Sequence, residues 1–148
     1  MSNMRRREFV QRLPVIGSGL LLGGTSLSLA GCGGVTYLVP AVVPGRLVIG
    51  AEDLGPEGEA FVQGPGMGRP VYVHRGASGE MVAVLAQCTH NGCQPAPVGA
   101  RLVCPCHGSE FSLEGAVLQG PADRSLTRYE VTEADGQVTV WLDRTRAS

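Results

Sequence analysis

The chain has 148 residues and a mass of 15.4 kDa, room for one modest domain and too little for a second catalytic one. Glycine (22) and proline (10) make up over a fifth of it while aromatics are 5%, which favours a small, turn-rich β domain and excludes a long-helix protein. The formal net charge is −1 and no basic block lies beyond the first dozen residues, so nucleic acid is excluded as a partner.

The chain opens with Arg5-Arg6-Arg7-Glu8-Phe9, continues with an apolar stretch over 13–30 and ends that stretch in Leu29-Ala30-Gly31-Cys32. A charged start, an apolar middle and a small-residue end predict an export signal and not fold-forming sequence. Arg6-Arg7-Glu8-Phe9 resembles the twin-arginine signal, a route for proteins already folded around a cofactor, and Leu29-Ala30-Gly31-Cys32 resembles the bacterial lipobox. Residues 1–32 are therefore expected to be a signal and membrane anchor, with Cys32 lipidated as the mature N-terminus. An uncleaved anchor is the alternative, since about 18 apolar residues is the lower limit for crossing a bilayer of about 30 Å; a soluble secreted form is the third option. Either of the first two holds the domain on the membrane of a bacterial cell envelope, facing the periplasm or outside. Cleavage before Cys32 leaves 8 Arg against 12 acidic side chains, a formal charge of −4, which suits a cationic partner or simple solubility.

Residues 33–45 are punctuated by glycine and proline, and Pro40 and Pro44 are expected to block regular secondary structure, so a short tether is predicted. Strand-like runs follow at 46–49, 60–63, 71–74, 81–86, 101–103, 126–131 and 138–142, separated by turn clusters such as Gly64-Pro65-Gly66 and Ala134-Asp135-Gly136. Such short strands predict an all-β fold, an antiparallel sandwich or barrel over residues 46–148. A domain this small gains from a covalent or metal staple. His74 is expected to be a surface or packing residue and Trp141 to lie in the core.

The chemistry is concentrated in five cysteines (Cys32, Cys88, Cys93, Cys104, Cys106) and three histidines (His74, His90, His107), six of the eight falling between 88 and 107. Two stretches carry them, Cys88-Thr89-His90-Asn91-Gly92-Cys93 and Cys104-Pro105-Cys106-His107-Gly108-Ser109. Cysteine and histidine at such spacing suit a tetrahedral zinc site or an iron–sulfur cluster; the paired glycine-bearing turns and the two surplus cysteines argue for the cluster.

The pattern resembles the Rieske iron–sulfur family, in the disulfide-bearing branch found in cytochrome bc-type complexes, over most of the chain beyond the anchor. That resemblance implies a Rieske-type antiparallel β sandwich or barrel with a cluster-binding subdomain of two loops holding one 2Fe–2S cluster. It implies Cys88 and Cys104 on one iron, His90 and His107 on the other, and Cys93 and Cys106 as a disulfide between the loops. From the residues alone Cys93 and Cys106 could also be free, buried thiols; an oxidising compartment favours the bridge. Gly120-Pro121-Ala122 resembles the proline-containing loop that covers a third side of the cluster in quinol-oxidising members.

Replacing two thiolates by two neutral imidazoles removes negative charge and raises the potential into the range of about −150 to +300 mV. Gly92 and Gly108 let the loop backbones bend close to the inorganic sulfides and present N–H donors, and Ser109 adds a hydroxyl donor. Phe111 stands where high-potential relatives carry a Tyr whose hydroxyl bonds a ligand sulfur, so the expected potential lies below the top of the family range.

No nucleophile or substrate pocket is evident, and the expected role is electron transfer, one electron at a time. The resemblance implies the membrane-tethered iron–sulfur subunit of a quinol:cytochrome c oxidoreductase, accepting electrons from quinol and passing them to a c-type cytochrome, with cytochrome b and c-type partners. Asn91, where quinol-oxidising members carry a shielding Leu, and the lipobox favour a second reading: an independent periplasmic carrier, or the small subunit of another respiratory oxidoreductase such as a molybdenum enzyme. A ring-hydroxylating oxygenase also needs a mononuclear iron on two His and a carboxylate, and only His74 is left over, which excludes it. A cytosolic Rieske ferredoxin needs neither an export signal nor Cys93 and Cys106.

Overall fold

The computed structural model describes residues 34–146; the export signal and the lipidation candidate Cys32 lie outside them. Twelve strands follow one another: β1 (Thr36–Leu38), β2 (Ala41–Val43), β3 (Arg46–Gly50), β4 (Glu59–Val62), β5 (Val71–Arg75), β6 (Met81–Leu85), β7 (Ala96–Val98), β8 (Arg101–Val103), β9 (Glu110–Ser112), β10 (Val117–Gln119), β11 (Arg128–Ala134) and β12 (Gln137–Arg146), with one 3-10 turn at Ala51–Asp53. Eight form a sheet in the order β1-β4-β5-β6-β11-β12-β3-β2 and four a smaller sheet in the order β10-β9-β8-β7. Pairing is antiparallel except between β1 and β4.

β1 and β2 are the two edges of the large sheet, yet only Val39 and Pro40 separate them in sequence. Two intervening residues span at most about 11 Å, so the sheet curls until its edges approach each other. This corrects the expectation of a tether over 33–45 without regular structure. Pro40 and Pro44 fall just outside the strands, where a missing N–H breaks no ladder bond, while Thr36–Leu38 pairs with 60–62 and Ala41–Val43 with 46–48.

Period-two alternation explains why β4, β5 and β6 read as almost continuous apolar runs. Ala60, Val62, Val71, Val73, Met81 and Ala83 point into the curled sheet with Leu47, Ile49, Val138 and Val140. Phe61, Tyr72, Val82 and Val84 point the other way, into a second core with Leu102, Phe111, Ala122, Leu126 and the two cysteines Cys88 and Cys104. Each fully buried Val, Leu or Phe stabilises the fold by about 1.5–3 kcal/mol. The second core is the platform on which the cysteine loops stand.

His74 is a packing residue, as expected. It is buried (4% exposed), stacks on Tyr72 with ring centroids 5.3 Å apart, and its Nε2 lies 3.1 Å from the Leu113 carbonyl. A carbonyl only accepts, so Nε2 carries the proton and the ring ties the large sheet to the β9–β10 turn.

Trp141 is not a core residue. Val138 and Val140 face inward, so the same alternation turns residue 141 outward. There its ring lies beneath two guanidiniums, Arg144 at 4.3 Å and Arg46 at 5.2 Å from the centroid, and its Nε1 donates to Thr132 Oγ1 at 3.3 Å. Cationic cover replaces burial.

Candidate metal centre

The first cysteine loop, 88–93, follows β6, and the second, 104–109, joins β8 to β9. Their backbones close in the same way. In the first, Gly92 N–H donates to Cys88 O at 2.7 Å and Cys88 N–H to Cys93 O at 2.7 Å; in the second, Gly108 N–H donates to Cys104 O at 3.1 Å and Cys104 N–H to Ser109 O at 2.8 Å. Both turns need a left-handed residue at the fifth position, and glycine supplies it with φ of +71° at Gly92 and +75° at Gly108.

This closure aims N–H groups at sulfur. The His90 and Asn91 amides donate to Cys88 Sγ, the Cys106 and His107 amides to Cys104 Sγ. The two thiols are buried side by side, 2% and 1% exposed, and hydrogen-bonded to each other. Burial raises both, but at Cys88 the amide donors, Cys104 and the Ser109 hydroxyl outweigh it and leave that thiol below its usual range; at Cys104 burial and the neighbouring sulfur prevail and raise it. At each sulfur the amide donors favour the charged form against the cost of burial.

The histidines differ from the cysteines in burial. His90 and His107 are exposed, and their rings meet edge to face with centroids 5.0 Å apart. Cys93 and Cys106 are bonded to each other, so the chain carries the bridge expected between the loops. A third segment, 120–124, begins with a cis Gly120–Pro121 bond and is pinned to both loops. The Ala122 N–H donates to Ser109 Oγ at 3.0 Å, and the Thr89 hydroxyl donates to the Arg124 carbonyl.

The donor set discriminates between one metal ion and two. Ligands of a single tetrahedral zinc converge around a point about 2.0–2.3 Å from each. Among the described residues the three metal-type ligand atoms that do crowd within 4.8 Å of one another are Cys93, Cys104 and Cys106, and two of these are spent in the disulfide. Cys88, Cys104, His90 and His107 instead form a buried sulfur pair and an exposed imidazole pair. The residues present fit a 2Fe–2S group.

Phe111 is fully buried beneath the loops and Asn91 is exposed between His90 and Gly92. Four contributors were not evident in the sequence: Thr89 and Arg124, which join the first loop to the third segment, and Arg69 and Gln119, which donate to the carbonyls of Gly92 and Gly108 at 2.8 and 3.3 Å. Arg69 lies 23 residues before its partner, and no local spacing rule reaches that far.

The family profile of the Rieske [2Fe-2S] domain matches residues 46–130, and the chain belongs to that family, whose domain binds a single 2Fe–2S cluster. It is 28% identical over 144 residues to the cytochrome b6-f complex iron-sulfur subunit of Chlorobaculum tepidum, covering 93% of this chain and 76% of that protein. It is 42% identical over 77 residues to the chloroplastic cytochrome b6-f complex iron-sulfur subunit of Volvox carteri, covering 49% of this chain and 37% of that one. Among solved structures, the plasma membrane Rieske protein PetC3 from Synechocystis PCC 6803 superposes with a TM-score of 0.57 at 40% identity, over 64% of this chain and 97% of that one.

Proposed function

We propose that Cys88 and Cys104 hold one iron of the cluster and His90 and His107 the other, and that the chain is the electron-transfer subunit of a cytochrome bc-type complex. In this reading it takes electrons from quinol and passes them to a c-type cytochrome at the outer face of the membrane. The observation that carries it is the pair of matching loops, each of which supplies one buried thiol and one exposed imidazole. When bound, the cluster supplies a one-electron redox site.

The chain's own residues do the rest. The Cys88 and Cys104 sulfurs face amide donors that stabilise negative charge; His90 and His107, exposed and with their rings edge to face, would hold the second iron through one ring nitrogen each. The Cys93–Cys106 bridge keeps the loops together. Relatives named as cytochrome b6-f subunits support the bc-type assignment. Membrane attachment and export rest on the signal over 1–32, with a lipid on Cys32, and the disulfide suits an oxidising compartment.

Asn91 favours a second reading, an independent periplasmic lipoprotein or the small subunit of another respiratory oxidoreductase, because a polar, exposed amide replaces the apolar contact expected against a quinol site. The two separate on isolation of tagged full-length chain from its native membranes. Co-purification with a cytochrome b, and quinol-dependent appearance of the reduced-cluster paramagnetic signal, supports the first. A chain that extracts alone and stays oxidised with quinol supports the second.

A further inference from the structure

Gly92 and Gly108 hold the same place in their loops, with the same left-handed φ and the same N–H bond back to the leading cysteine. Each carbonyl is gripped by a side chain from outside its loop. Gly92 O accepts from Arg69 Nε at 2.8 Å and Gly108 O from Gln119 Nε2 at 3.3 Å. Arg69 comes from the turn between β4 and β5 of the large sheet, Gln119 from the end of β10 in the small one. The two grips match in position and differ in charge.

We propose that Arg69 is a positioning residue for electron transfer: it fixes the loop that carries His90 and, by its positive charge, favours electron uptake at the site, while Gln119 fixes the second loop without charge. The proposal rests on the ligand assignment above. Guanidinium is a permanent cation, and among the described residues Arg69 makes no ion pair that would cancel it. Its bond also polarises the Gly92–Cys93 peptide, inside the loop and next to the disulfide. An electron added between the loops raises negative charge there, so a cation held at the loop's rim stabilises the reduced state over the oxidised one. Arg69 is exposed, which limits the effect to a few-fold and makes it sensitive to salt.

The test is film voltammetry on purified, cluster-loaded protein with Arg69→Gln, Arg69→Lys and Gln119→Arg, at low ionic strength and at about 1 M salt, where screening acts over about 3 Å. Arg69→Gln is expected to lower the reduced-to-oxidised ratio at fixed potential about threefold, about 28 mV at 59 mV per tenfold for one electron. Arg69→Lys is expected to retain most of the wild-type value, Gln119→Arg to raise the ratio by a similar factor, and both shifts to shrink at high salt. Equal shifts in Arg69→Gln and Arg69→Lys, or none in either, overturn the proposal, since a purely structural brace changes melting temperature and leaves the potential in place. If Arg69→Gln does not retain its cluster, Gln119→Arg decides: a salt-sensitive rise supports the proposal and an unmoved potential overturns it. Absence of a reduced-cluster signal in wild type overturns the ligand assignment itself; a normal wild-type signal with unmoved variants overturns the Arg69 proposal alone.

Discussion

Ser109 and Ala122 are joined by a hydrogen bond in which the Ala122 N–H donates to Ser109 Oγ at 3.0 Å, inside the buried layer beneath the loops. Because Ser109 Oγ accepts there, its own proton is available to the Cys88 sulfur, which it helps hold in the charged state. One hydroxyl thus serves the third segment and a cysteine at once. Ser109→Ala is expected to lower the midpoint potential by about 59 mV, a tenfold change for one electron. It is also expected to cost about 1–3 kcal/mol, because the Ala122 N–H loses its partner. Voltammetry and thermal melting of the same sample read the two losses separately.

Phe111 fills the buried layer under both loops without offering a polar atom. By the family resemblance a tyrosine here donates to a ligand sulfur, so Phe111→Tyr is expected to raise the potential by about 59 mV. Adding an atom to a packed site costs about 1–3 kcal/mol. Phe111→Leu is the control and is expected to lose stability with no rise. A potential unchanged in Phe111→Tyr means that the hydroxyl does not reach sulfur.

The Cys93–Cys106 bond spans the two loops across a sequence separation of 13. Replacing both residues by alanine is expected to cost about 2–4 kcal/mol of stability and to speed cluster loss on warming, followed as bleaching of visible absorbance. Bleaching at the wild-type rate contradicts a bracing role for the bridge.

Burial first, then the hydrogen bond to Glu59 and that carboxylate's charge, hold the Tyr72 hydroxyl far above the ordinary tyrosine range, and burial raises Tyr129 as well. In the unfolded chain these phenols ionise near about pH 10, while in the folded chain they stay protonated. The unfolded state then binds fewer protons, so this contribution is complete below about pH 10 and is lost as pH rises beyond it. Tyr72→Phe is expected to flatten the alkaline loss, measured by denaturant unfolding at about pH 8 and about pH 11.

Much of this was legible because its signals are local. The loop residues lie within six positions of one another in each stretch, and β3 to β6 carry strong apolar runs. Three-residue strands such as β7, β9 and β10 are too short to show period two, and the edge strands β1 and β2 are hidden by Pro40 between them and Pro44 after them, whose lost N–H groups fall outside the ladders. Hydrophobicity without register places Trp141 in the core, but Val138 and Val140 take the inward positions of β12, residue 141 faces outward, and arginines cover the ring. The Arg69–Gly92 and Thr89–Arg124 bonds join segments 23 and 35 residues apart, and only the folded arrangement reveals such pairs.

The central claim is that two thiols and two imidazoles divide between two unlike irons. Iron and sulfide analysis of natively produced protein, with pulsed electron paramagnetic resonance of the reduced form, tests it most directly. The account predicts iron and sulfide in equal amounts and two directly bound nitrogens, both lost in His90→Ala with His107→Ala. Absence of iron, or a spectrum with sulfur donors alone, contradicts it.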